Sequence, residues 1–434
     1  MNIVSVTLLA ASAMALGAAH AQSMFRGDAA HTGVYRDAAP RTLKGVKWSF
    51  PTGDRIVSSP VHADGTIYFG SDDGHLYAVS ARDGRERWRR RTGGPVASTP
   101  AIAGGVVYVT SYDGRLYALD AATGSQRWFF ATDGERRFEA KGLHGLLPKH
   151  QTIADPFDVF LSSPVVVDGT VYAGSGDGHV YALDAAGGAL RWKFATGDVV
   201  HGSPAYAGGV VYVGSWDSFL YALDAKTGAL RWRFQGGTDP VIHNQVGFQS
   251  SPAVVGGVVY VGCRDSKLYA IDAATGVEKW RFDNNGSWVI TSPAVVDGKV
   301  IFGTSDTSRY YVVDAATGKT VVEQQGRAFL FSSPSVAGSV VLVGVLNGTL
   351  EARDVESGAL LWEFRTEASK RNAGWVLTAD RAFNMPMLYP SNWGETPLAA
   401  TVRQFSVGSI FSSPLVVEGV VYFGSTDGTL YALE

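Results

Sequence analysis

Apolar and polar positions along the chain repeat with a unit of about 40 residues, each unit being a set of short apolar runs cut by glycine-containing turns. A Ser/Thr/Gly-Ser/Thr-Pro triplet ends at Pro60, Pro100, Pro164, Pro204, Pro252, Pro293, Pro334 and Pro414. After each triplet come an apolar run, a glycine turn and a second run such as Val210-Val211-Tyr212-Val213. An Asp-Gly-like turn, a Leu-Tyr-Ala-Leu-Asp segment and a Thr-Gly turn leading to tryptophan follow. Each unit thus supplies four short strands, A to D from the inside outward. Runs apolar on both faces suit sheets packed between other sheets. Sheets stacked face to face around an axis make a propeller. The fold expected is all-β: an eight-bladed β-propeller of four-stranded antiparallel blades.

The turn after strand C keeps aspartate, then glycine four residues later, then tryptophan four after that, as in Asp120/Gly124/Trp128 and Asp224/Gly228/Trp232. Aspartate accepts backbone N–H groups in a turn, glycine permits positive φ, and the indole fills the wedge between sheets. Unit 6 carries Val322 in the tryptophan position and is expected to be the least tightly wedged. Unit 8 stops at Glu434, before its fourth strand. Gly45-Val46-Lys47-Trp48-Ser49-Phe50 has the character of that missing strand, so the N-terminal segment is expected to complete the last blade and close the ring around Trp48.

Units ending in Ala-x-Asp-x-x-Thr-Gly-x-x-x-Trp, as in Ala118 to Trp128 and Ala222 to Trp232, resemble the PQQ-type propeller repeats of quinoprotein dehydrogenases and of the outer-membrane assembly lipoprotein BamB. The resemblance covers nearly all of residues 45–434 and specifies scaffold rather than chemistry. For the enzymes it implies PQQ on a tryptophan floor, calcium held by carboxylate and amide oxygens, an aspartate base, and in many members a disulfide of adjacent cysteines. Under that reading Trp288 would be the stacking surface, Arg327 the quinone partner, and Asp158 or Asp265 the base. The chain has one cysteine, Cys263, and no CxxCH haem segment, which weighs against a close match to the enzymes. The other reading implied is a BamB-like binding or scaffold protein with an envelope protein as partner.

Composition narrows the field. Net charge is −3, with 37 Lys+Arg against 40 Asp+Glu and no long basic run, so nucleic acid is not an expected partner. Cys263, in a turn after an apolar strand, is expected to be a packing residue. Residues 1–21 carry no charged side chain, have an apolar stretch and end in Ala19-His20-Ala21, the pattern of a secretory signal. With no lipobox cysteine, the expectation is a periplasmic or secreted protein without a membrane anchor, having a lead-in over residues 22–44 and one propeller over 45–434.

Three intervals between triplets exceed the repeat, giving insertions at about 133–158, 236–249 and 366–408. All lie between strand D of one blade and strand A of the next, on the rim that also carries the B–C turns. That rim, the top, is the expected site, because long loops on a rigid scaffold concentrate function. The opposite rim is expected to carry only short turns. Trp216, Trp288, Trp375 and Trp393 fall outside the wedge position, in top loops. Around blades 4 to 7 the chain places His201, Trp216, His243, Asn244, Gln245, Gln249, Asn284, Asn285 and Trp288. Arg264, Lys267, Arg309 and Arg327 add positive charge. Units 4, 5 and 6 replace the Asp-Gly turn by Asp217-Ser218, Asp265-Ser266 and Asp306-Thr307. Cations for carboxylates, amides for hydroxyls and an indole for stacking suit a small polar or anionic ligand; a glycan is the other small ligand this set accommodates. The first insertion, with Glu139, Lys141, His144, Lys149, His150, Asp155 and Asp158, has the makings of a lid. No tight His spacing assigns a metal.

Overall fold

The computed structural model describes residues 23–391, 393 and 395–434; the expected signal segment lies outside them. The repeating runs form eight four-stranded antiparallel blades. Blade 4 shows the pattern: Ala205–Ala207, Val210–Gly214, Phe219–Asp224 and Leu230–Gln235 pair in that order, with Tyr212 opposite Ala222 and Ala222 opposite Trp232. Strand B and the middle of strand C are buried throughout, because each blade is covered by two neighbours.

The tryptophan position is explained atom by atom. Trp192 Nε1 donates to the carbonyl of Ala225 in the next blade at 2.9 Å, and the Tyr172 hydroxyl donates to the same oxygen at 3.0 Å. The ring lies on Gly228, whose φ is +72° and where a Cβ would come within 2.7 Å of the indole. Glycine is therefore required twice, by the turn and by the wedge. Trp48, Trp88, Trp128, Trp232 and Trp280 repeat the bond onto Ala81, Ala121, Ala185, Ala273 and Ala315. In blade 6 the smaller Val322 meets Gly358 instead.

Ring closure is as expected. Val46–Pro51 pairs antiparallel with Thr429–Leu433, Trp48 opposite Ala432. Blade 8 has no Thr-Gly turn of its own, and Trp362 of blade 7 donates to the carbonyl of Pro40 in the lead-in at 2.8 Å. The proline triplets close the ring at the axis. Ser59 N donates to Thr99 Oγ1, Thr99 N to Ser163 Oγ, and Ser163 N to Ser203 Oγ, at 2.9 to 3.2 Å. The series runs on through Ser251, Ser292 and Ser333, and Ser413 N returns to Ser59 Oγ.

The bottom rim differs from expectation. Strand A presents backbone N–H groups at its inner edge, and in five blades the lead-in supplies acceptors for them. The carbonyls of Ser23, Ala29, Ala30, Thr32 and Gly33 accept from Ile102, Tyr206, Val254, Val295 and Val336. Val34–Tyr35 adds a short parallel strand to blade 7. Phe25 reaches the bottom of the channel. The three insertions all lie on the top rim. The first forms a hairpin of Glu139–Lys141 with Thr152–Ala154; the third holds short helices, the longest Glu395–Phe405. Among the described residues no helix is long and apolar enough to cross a membrane.

Candidate functional site

The residue before each triplet points into the channel above the hydroxyl ring. In six units it is Val57, Ala97, Leu161, Ile290, Phe331 or Phe411, and in the others His201 and Gln249. Only about 30 Å³ remains between these side chains, so the axis is a packed core rather than a conduit.

The first insertion seals that core with two buried ion-pair groups. His201 holds Asp158 at 2.7 Å through Nδ1 and Glu135 at 2.9 Å through Nε2. Burial alone would lower the imidazole pKa, but the two carboxylates outweigh it and raise the value to about 10, so His201 is a cation at neutral pH. Asp158 also accepts the backbone N–H of Phe138. Beside it, Arg264 and Asp155, both fully buried, pair at 2.6 Å. The Arg264 guanidinium lies between two indoles, 4.5 Å from the Trp216 ring centre and 3.6 Å from that of Trp288. Its Nε and Nη2 thus face π-systems rather than oxygen acceptors. Burial opposes ionisation of Asp155, yet Arg264 and His144 hold its carboxyl well below the usual range.

Above this layer the three insertions wall a pocket of about 470 Å³, within the range of small-ligand sites. Trp288, Phe329 and Phe331 form its base, and His144, Leu146, Pro156 and Phe157 come from the first insertion. Asn244 comes from the second insertion, and Met385, Tyr389, Ser391 and Thr401 from the third. The rings are in mutual contact: Phe157 meets Trp288 at 5.8 Å and Phe331 at 5.7 Å edge to face. His144 Nδ1 is 2.9 Å from Asn244 Oδ1 and its Nε2 3.2 Å from Asp155, tying two insertions to the buried arginine. The expected lid is therefore a fixed cap.

Among the described residues, Asp306 is the one carboxylate lining the pocket. In blades 4 and 5, Asp217 and Asp265 are sewn into their turns, each accepting a tyrosine hydroxyl four residues on and two backbone N–H groups. Blade 6 departs from the expected equivalence. Gly303 pairs with Tyr310, seven residues on, whereas Gly262 pairs with Leu268, six on. The blade 6 turn is one residue longer, Thr307 takes the turn position, and Asp306 is released. Its side-chain contact is Ser305 Oγ at 3.0 Å.

The sequence-predicted residues divide accordingly. Trp288 and Asn244 line the pocket; Trp216, Arg264, His201, Asp158 and Gln249 lie in the buried layer beneath. Asp158 and Asp265, the candidate bases, have their oxygens occupied by His201, Phe138, Gly237, Lys267 and Tyr269. His243 and Gln245 donate backbone N–H groups to Asp239, and Asn284 closes its own turn onto Ser287, with Asn285 exposed beside it. Cys263 is buried, which pushes its thiol pKa up and keeps it inert. The cations expected to receive an anion are each paired within the protein: Lys267 with Asp283, Arg309 with Glu323, Arg327 with Glu363 and Arg264 with Asp155. Missed by sequence reasoning were Phe157, Phe329, Phe331, Tyr389 and the release of Asp306. For Phe331 a signal existed, since its place before a triplet marks it as axis-facing.

This lining does not fit PQQ. Three carboxylates require cations, but among the described residues no lysine or arginine lines the pocket, Asp306 would repel them, and one face of Trp288 is taken by Arg264. Nor does it fit calcium, since Asp306 and Asn244 come from separate loops with no second carboxylate among the described lining residues. Asp133, Asp177 and His179 do converge, but at the rim of blade 3, where Lys193 pairs with Asp133 and Tyr181 donates to Asp177.

A family model described as outer membrane protein assembly factor BamB matches residues 40–141, 150–284 and 264–383. Among solved structures, BamB from Moraxella catarrhalis superposes with a TM-score of 0.64 at 18% identity, over 91% of this chain and 98% of that one. A europium-containing methanol dehydrogenase gives 0.69 at 16%, over 95% and 98%. The quinohemoprotein alcohol dehydrogenase from Comamonas testosteroni gives 0.68 at 16%, over 96% and 80%. At these identities the likeness is one of fold. No curated protein is matched.

Proposed function

The chain belongs to the BamB-type PQQ-repeat propeller family, and from that premise we propose that it is an extracytoplasmic binding protein whose top-face pocket takes a small ligand, and that it is not a quinone-dependent dehydrogenase. The observation that carries this is the pairing of Arg264, Lys267, Arg309 and Arg327, the cations around the site, with the protein's own carboxylates, which leaves an aromatic compartment suited to recognition and unsuited to PQQ. Envelope location is supported by the character of residues 1–21 and by the outer-membrane role in the family's description.

A second reading, docking of an envelope protein on the same rim, is favoured by the third insertion. Met385, Met387 and Trp393 are 42%, 55% and 62% exposed beside the pocket mouth.

Uptake of a neutral solvatochromic dye such as Nile red tests the pocket. Saturable uptake of one dye per chain is expected, lost in Thr401→Trp, whose indole would fill the compartment. Ser391→Trp, at the mouth, serves if that variant does not fold. Absence of saturable uptake, or uptake unchanged in both variants, contradicts the proposal.

A further inference from the structure

The pocket unites an aromatic wall with one carboxylate that the fold has freed from its usual turn. Phe157, Phe331 and Phe329 present joined rings, Phe329 to Phe331 at 6.2 Å. Tyr389 faces them from the third insertion, and Met385 adds a polarisable thioether. Asp306 and Tyr389 line the same pocket, and burial pushes the Tyr389 hydroxyl pKa up to about 12, with the Asp306 charge adding to the rise, so the phenol stays neutral. Among the described residues no lysine, arginine or histidine pairs with Asp306, whose side-chain contact is the neighbouring Ser305 hydroxyl. The nearby cations are engaged elsewhere: Arg264 pairs with Asp155, and Arg327 and Arg381 share Glu363.

Ring faces are negative, and a desolvated cation over them is attracted by the ring quadrupole. A carboxylate at one end of such a wall gives the cation a counter-charge, while the aromatic lining penalises a strongly hydrated metal ion or a bare ammonium more than a substituted one. We propose that this pocket binds a small organic cation, a substituted ammonium ion whose alkyl groups lie on Phe157, Phe329, Phe331 and Tyr389 and whose charge is met by Asp306. The proposal rests on the pocket being a ligand site and adds the sign and class of the ligand.

The test compares two probes of equal shape, (3-hydroxyphenyl)trimethylammonium and 3-tert-butylphenol, each displacing Nile red from the intact protein. Displacement by the cation at ~10-fold lower concentration than by the neutral phenol is expected. In Asp306→Asn, an exposed position whose change leaves the core untouched, that preference falls to within about 3-fold. Equal displacement by both probes, or a preference unchanged in Asp306→Asn, overturns the cation assignment while leaving the pocket intact. Failure of the dye to bind at all overturns the underlying binding reading instead. A peptide bearing trimethyllysine is run alongside; tighter binding by it than by the free cation would overturn the assignment to a small molecule.

Discussion

His201 shows how a residue that reads as a ligand becomes part of the frame. Its imidazolium is buried between Asp158 and Glu135, with a pKa of about 10 against about 6.5 in an unfolded chain. Because the folded value is the higher, this cation stabilises the fold fully below about pH 6.5, and the stabilisation fades as pH rises through about 10. The stability gap between the native protein and His201→Gln, from urea melts at a series of pH values, is expected to be widest near pH 6 and to narrow steadily toward pH 10. A gap that widens with pH would contradict the ion-pair assignment. Arg264 is held more tightly still. Arg264→Met leaves the buried Asp155 with His144 and the Phe157 backbone N–H as its remaining partners and is expected to cost ~3 to 5 kcal/mol, whereas adding Asp155→Leu should restore part of the loss. Histidines, arginines and aspartates in polar loops gave the sequence no means of showing which would pair with each other. His201 and Asp158 are 43 residues apart, and Arg264 and Asp155 are 109 apart. The free cations inferred from composition became internal salt bridges for that reason.

At the scale of the element, the repeat was legible because each blade obeys the same local physics. The Asp-Gly-Trp spacing encodes a turn, a positive φ and an indole donor to the next blade's alanine carbonyl, and all three are found. Trp232→Ala removes both the packing on Gly276 and the bond to Ala273 at 3.0 Å. A loss of ~3 to 5 kcal/mol is expected, read as a lowered thermal midpoint, and no loss would contradict the wedge. The lead-in was not legible, since its contribution is backbone carbonyls, which any sequence carries. Among the titratable groups it brings into the core is His31, whose pKa falls to about 3 through burial and the nearby Arg26 cation. The unfolded chain therefore takes up a proton below about pH 6.5 that the folded chain refuses, and stability drops as pH falls from there toward 3. His31→Gln should flatten part of that decline in thermal midpoints recorded between pH 6.5 and 4.

For the whole molecule, closure and the division between rims govern what the protein does. Blade 8 depends on Val46–Pro51 for its outer strand. Deleting residues through Pro51 is expected to leave the Thr429–Leu433 edge open and to produce self-association on size-exclusion chromatography. The fold was readable to the level of its closing strand, and the insertion lengths pointed to the rim where the pocket lies. The pocket's chemistry was not, because its lining joins residues from six separate loops and its carboxylate is freed by a one-residue lengthening visible only once strand register is known. On the proposed reading the site recognises a ligand with cations already committed elsewhere and so does not hold PQQ. A competition titration tests it directly: Nile red at saturation, challenged with PQQ and calcium while the quinone absorbance is followed. The expected result is retention of the dye with no bound quinone; stoichiometric PQQ binding that expels the dye would contradict the account.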